Sequence, residues 1–135
     1  MLQEGNPVRV RIDGESMHPF IVGGKDEVLL IPYDKKTPIE LWSCIFYKWK
    51  GHYMIHRFVG LQDGQYCMMG DGNLVQIERI EESDILGILQ TIYHADGSTQ
   101  DCLGKKWLCQ GRYWFKFRKL RRFLLPIYRK FVLND

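Results

Sequence analysis

The chain has 135 residues, 45% of them apolar and 26% charged. That is enough for one folded domain with its own core, and it excludes a disordered, fibrous or disulfide-stapled mini-protein. The net charge of +3 is unevenly spread: ten of the 19 Lys and Arg fall in residues 105–135 beside a single acid, Asp135, whereas residues 1–104 carry nine basic against fifteen acidic side chains. An acidic body with a basic tail suits a tail that meets an anionic partner. The four cysteines, Cys44, Cys67, Cys102 and Cys109, form no CxxC pair. They read as free thiols; only Cys102 and Cys109 stand close enough in the chain to suggest a pair or a shared metal. The residues call for no metal and no cofactor. Residues 1–7 lack the basic and apolar regions of a signal peptide, and no apolar run approaches the roughly 18 residues that span a bilayer. The expectation is a cytoplasmic protein, or one peripheral to a membrane.

In chain order, Val8 to Ile12 alternates apolar and basic residues, the period of a half-buried strand, and Asp13-Gly14 breaks it. Val28 to Ile31 is a short apolar run of strand length. Cys44 to Trp49 and Tyr53 to Val59 are aromatic and β-branched, and Lys50-Gly51-His52 joins them as a hairpin. Asp63-Gly64 marks a second hairpin leading into Tyr66 to Met69, and residues 70–73 form a tight polar turn. Ile85 to Tyr93 is a last long strand, ended by Asp96-Gly97-Ser98. Short strands with turn chemistry between them predict a mainly β fold, a small, partly open barrel over residues 1–100. Residues 101–135 form a separate basic, amphipathic segment. In it Tyr113, Phe117, Leu120, Leu124, Ile127 and Phe131 recur at helical spacing, and Pro126 is expected to kink or split the helix.

Three residues carry candidate chemistry. Ser16 follows a strand-ending turn in Gly14-Glu15-Ser16-Met17-His18-Pro19, where Pro19 restricts the backbone. A serine hydroxyl needs a base within hydrogen-bond reach to act as a nucleophile. His56 stands in a strand-like context, and histidine is the side chain type that most often does general base work near neutrality. Asp71 lies between Gly70 and Gly72, whose freedom at φ > 0 lets a carboxylate turn back toward a neighbouring strand and orient a histidine. Alone, each has a plainer role: a turn serine, a satisfied strand histidine, an Asx turn. His18 reads as an exposed turn histidine, Arg57 as half of a structural ion pair, and Glu15 as solvated.

Together, in this order, the three segments resemble the boxes of the signal peptidase I family and, more broadly, its clan with the LexA-type self-cleaving repressors. Residues 16–19 resemble the Ser-Met-x-Pro box that holds the nucleophile. His56-Arg57-Phe58 resembles the second box, with the histidine of the archaeal and endoplasmic-reticulum type in place of the bacterial lysine. Gly70-Asp71-Gly72-Asn73 resembles the Gly-Asp-Asn box with Gly72 inserted, and Asp84 opens a segment like the one leading into the last core strand. The resemblance covers roughly residues 8–93. It implies a partly open β-barrel that binds an extended peptide beside a strand. Ser16 would attack a carbonyl, His56 would take its proton, and Asp71, or second to it Asp84, would orient His56. Met17 and Pro19 would line the substrate site, and the Ser16 backbone N–H would help bind the oxyanion. Gly14 stands where many members have a hydroxyl that aids the oxyanion.

Two readings compete with an active peptidase. One is a catalytically silent peptide-binding module on the same fold. The other, a self-cleaving regulator, needs a DNA-binding unit and a cleavable linker upstream, for which fifteen residues leave no room. The expected partner is a peptide or protein substrate, and nucleic acid is not an expected one. Residues 105–135 suit a membrane surface, or else a helix that packs its apolar stripe on the barrel and leaves its charges in water.

Overall fold

The computed structural model describes residues 5–36 and 38–130. Among these residues eight antiparallel strands form one curled half-barrel sheet, so the mainly β expectation holds. They are β1 (Val8–Arg11), β2 (Glu27–Pro32), β3 (Cys44–Trp49), β4 (His52–Gln62), β5 (Gln65–Met69), β6 (Glu78–Ile80), β7 (Ile85–Tyr93) and β8 (Thr99–Asp101). The spatial order is β1-β2-β7-β3-β4-β5-β6, with β8 paired to β7. The two foreseen hairpins are present. Lys50-Gly51 and Asp63-Gly64 both adopt positive φ, as tight two-residue hairpin turns require. Two strands, β6 and β8, are additions to the sequence expectation. Each has three residues, too few to show a period of two.

Both faces of the sheet are covered. In β3, Cys44 joins one buried cluster with Met17, Leu30, Leu89 and Trp107, while the next residue, Ile45, joins a second with Tyr47, Phe58, Met68 and Ile88. In β4, His56, Arg57 and Phe58 are buried in succession. Successive strand side chains point to opposite faces, so His56 and Arg57 look into different halves of the interior. That single step of register governs the site.

The C-terminal segment comprises α1 (Lys105–Lys116), a 3-10 turn (Arg118–Leu120) and α2 (Arg121–Tyr128). The break falls at Phe117, which leaves helical geometry at φ −101° and ψ 28°. It does not fall at Pro126, which stays within α2. A proline so close to a helix end removes one donor and crowds one carbonyl, and a helix of eight residues absorbs this in its last turn. The segment is fastened to the barrel: Trp107 is 1% exposed within the first cluster. Its inward residues are Trp107, Gly111, Arg121 and Leu125. The stripe of Tyr113, Phe117, Leu120, Leu124 and Ile127 is exposed, so a stripe packed on the barrel is overturned; Phe131 lies outside the described residues. Arg121 fixes the orientation, because its buried guanidinium finds its carbonyl partners, Gly70 and Asn73, only on the barrel side. Among the described residues no helix is long and apolar enough to cross a membrane. All four cysteines are free, and Cys109 alone of them is exposed. Burial pushes the Cys44 thiol up to about 12, which makes it inert near neutrality.

Candidate functional site

Ser16 sits in a single turn after β1. His18 N–H donates to the Glu15 carbonyl at 3.1 Å, and the Phe20 and Ile21 N–H groups donate to the Met17 carbonyl at 3.0 and 3.1 Å. Gly14 holds φ +87° where the chain leaves β1. A Cβ on Gly23 would strike the Gly14 backbone, so the two loops pack with no room for a side chain. Met17 is buried in the first cluster, which anchors the turn from beneath.

The 70–73 turn locks against this one. Gly72 N–H donates to the Ser16 carbonyl at 2.7 Å, and Asp71 N–H reaches the Met17 sulfur at 3.5 Å. A Cβ on Gly70 would collide with the Ser16 carbonyl and would lie 3.1 Å from His56 Cδ2; one on Gly72 would collide with the Glu15 carbonyl. Glycine is required here because the Ser16 turn and the His56 ring edge approach Gly70 from two sides.

His56 is 1% exposed. Its Nδ1 lies 2.5 Å from Glu78 Oε1, and the Tyr47 hydroxyl donates to the same oxygen at 2.8 Å. A carboxylate only accepts, so Nδ1 is the ring nitrogen that donates to Glu78, and Nε2 lies on the other side of the ring. The ring's Cδ2 edge, next to Nε2, faces Gly70. Ser16 and His56 line one cleft of about 450 Å³, together with Val10, Ile12, Phe46 and Tyr53. Among the described residues no hydrogen bond joins the Ser16 hydroxyl to the His56 ring. Glu78 Oε2 is buried without a partner. Burial and Glu78 both push the Tyr47 hydroxyl well above the usual phenol range, so it stays a donor.

Asp71 is not at His56. It is 0% exposed and binds Arg57 in two places, Oδ1 to Nε at 2.9 Å and Oδ2 to Nη2 at 2.6 Å. The carboxylate against His56 is Glu78, a residue that sequence reasoning missed. Asp71 approaches the face of β4 that carries Arg57, whereas β6 brings Glu78 to the face that carries His56. Nothing in the sequence separates Glu78 from Glu81 and Glu82 beside it; pairing of Met68 with Glu78 in the β5–β6 ladder does. Asp84 is likewise elsewhere: its carboxylate accepts from the Glu81 N–H at 3.0 Å. Arg57 makes the structural ion pair foreseen for it. Burial opposes its charge, but Asp71 outweighs burial and holds the guanidinium firmly ionised. Arg57 also donates to the Trp42 carbonyl at 2.7 Å and stacks 4.6 Å from the Trp107 ring.

The helices complete the support. Trp114 Nε1 donates to the Asp71 carbonyl at 2.8 Å, and Arg121 Nη1 donates to the Gly70 and Asn73 carbonyls at 3.1 and 3.0 Å. Arg129 lies 3.7 Å from Glu15 and donates to His18 Nδ1 at 3.4 Å. His18 is 3% exposed, not the exposed turn histidine of the sequence reading, because Tyr128 and Arg129 cover it. Glu15 itself stays exposed. Pro19 follows a cis peptide bond and does not line the cleft, whereas Met17 does. Among the described residues no three His, Cys, Asp or Glu side chains gather as a metal site needs.

No protein-family model matches the chain, and no curated protein matches it.

Proposed function

We propose that this chain is a serine peptidase of the signal peptidase type, on a half-barrel of the signal peptidase and LexA kind. One observation carries the reading: Ser16 and His56 line a single cleft, and Glu78 holds the far nitrogen of the His56 ring. Nucleophile, base and orienting carboxylate are the parts that acyl transfer needs. The Ser16 oxygen attacks a peptide carbonyl carbon while Nε2 of His56 takes the hydroxyl proton. The C–N bond then breaks as His56 returns that proton to the leaving amine, and water releases the acyl group by the reverse steps. Glu78 fixes the tautomer and stabilises the imidazolium. The Ser16 N–H contributes to the oxyanion site. The substrate is an extended peptide segment. Val10 and Arg11 of β1 line the cleft, and β1 pairs with β2 along one edge only, which leaves its other edge for a peptide strand.

Labelling with acylating serine probes, read by intact mass, tests this. The wild type gains one adduct; Ser16→Ala and His56→Ala gain none, and Glu78→Gln slows labelling by about 10³–10⁴. The missing Ser16–His56 hydrogen bond favours one other reading, a peptide-binding module without turnover. No labelling across several probe classes, with peptide affinity unchanged in Ser16→Ala, would establish that module instead.

A further inference from the structure

Both C-terminal helices turn an apolar stripe to solvent. Tyr113, Phe117, Leu120, Phe123, Leu124 and Ile127 are each 44–57% exposed. They do not stand singly. Tyr113, Phe117, Leu120 and Leu124 converge with Phe20 and Trp114 on one open groove of about 640 Å³. An apolar surface of this extent on a folded chain marks an interaction site. Beside it, Leu74 and Val75 project from the loop after the 70–73 turn, and Val75 is 86% exposed. They share a second hollow with Lys119 and Arg122.

Charge selects the occupant. Residues 105–130 hold ten Lys and Arg and no acid. Only some of these serve the fold: Arg121 is buried against the 70–73 turn, Arg118 donates to the Phe115 carbonyl, and Arg129 faces Glu15. Lys106, Arg112, Lys116, Lys119 and Arg122 are exposed. Lys106 lines the apolar groove itself. Lys116 lies over the Phe117 ring at 5.7 Å and Arg122 over the Phe123 ring at 5.0 Å, so cation and aromatic are presented together. A second copy meeting this face with the same face would set cation against cation without desolvating any matching acid.

We propose that the outer face of α1 and α2 docks on an anionic lipid surface. The aromatic and leucine side chains enter the boundary between headgroups and acyl chains, and the lysines and arginines rest on phosphate. The inner face of the same helices grips the 70–73 turn through Trp114 and Arg121, so docking places Ser16 and its cleft at a fixed height and tilt above the lipid. The docking itself does not depend on the chemistry at Ser16.

The full-length chain is sedimented with vesicles of phosphatidylcholine alone and of phosphatidylcholine mixed with phosphatidylglycerol, at low and high salt. It binds the anionic vesicles, high salt releases it, and the zwitterionic vesicles hold it weakly. Two exposed-face variants accompany it: K106Q/K119Q/R122Q and F117S/L124S. Each exposed cation contributes about fivefold to partitioning, so the triple variant binds about a hundredfold more weakly. Both variants keep the wild-type melting temperature, because neither set is buried. The proposal fails if the wild type stays in the supernatant, or if both vesicle types bind it equally. It also fails if the variants bind as the wild type does. Dimerisation abolished by F117S/L124S would assign the face to a second copy, and salt-sensitive binding of an oligonucleotide in place of vesicles would assign it to nucleic acid.

Discussion

Replacing Asp71 by asparagine keeps the shape of the side chain and removes its charge. The structure places that charge against the Arg57 guanidinium, with two hydrogen bonds of 2.9 and 2.6 Å. Both residues are 0% exposed. Removing one partner of such a pair strands an uncompensated buried cation, which costs about 3–5 kcal/mol. A folded chain gains about 2.1 cal/mol/K of unfolding entropy per residue, or about 0.28 kcal/mol/K over 135 residues. The expected fall in melting temperature is therefore about 10–18 °C. Glu78→Gln is the companion. It leaves Arg57 paired and is expected to lower the melting temperature by only a few degrees while nearly abolishing serine labelling. Thermal unfolding followed by circular dichroism, with probe labelling measured well below the transition, separates the two. A Asp71→Asn protein that melts within about 3 °C of the wild type yet labels as slowly as Glu78→Gln would refute the reasoning. Asp71 would then be the carboxylate that serves His56.

Two further outcomes follow from the packing around this pair. Gly111→Ala would stabilise an exposed helix by about 1 kcal/mol, but here the new methyl group would meet the Arg57 guanidinium; the melting temperature falls, and a rise would show that α1 does not sit over Arg57 as described. His18 is held below its ordinary pKa of 6.5, first by burial and then by Arg129, while Glu15 and Asp26 pull the other way. Its unfolded form binds the proton more readily, so its contribution to stability is complete above about pH 6.5 and is lost as pH falls through the folded value. Stability measured from about pH 7 down to about pH 5 therefore declines more steeply in the wild type than in His18→Gln, and parallel profiles would remove His18 from the account.

The strands that carry the site were legible in the sequence because they are long enough to show their period or are bounded by glycine turns. Val8 to Ile12, Cys44 to Trp49 and Ile85 to Tyr93 needed no tertiary information, and neither did the Lys50-Gly51 and Asp63-Gly64 hairpins. The turn at Ser16 and the strand position of His56 were also legible, since Gly14 and Pro19 bound the one and aromatic and β-branched neighbours surround the other. Which carboxylate meets which cation was not. Asp71 and Glu78 are both acidic residues near turns, and only the register of β4, β5 and β6 sends one to Arg57 and the other to His56. A one-residue step along β4 reverses the face, so no local pattern encodes the pairing. The C-terminal helices make the same point. Their amphipathic period is plain in the sequence, yet it does not say which side is inward. Tertiary structure decided that, because the carbonyls of Gly70, Asp71 and Asn73 take their hydrogen bonds from Trp114 and Arg121, and satisfying them turned the apolar stripe to the outside.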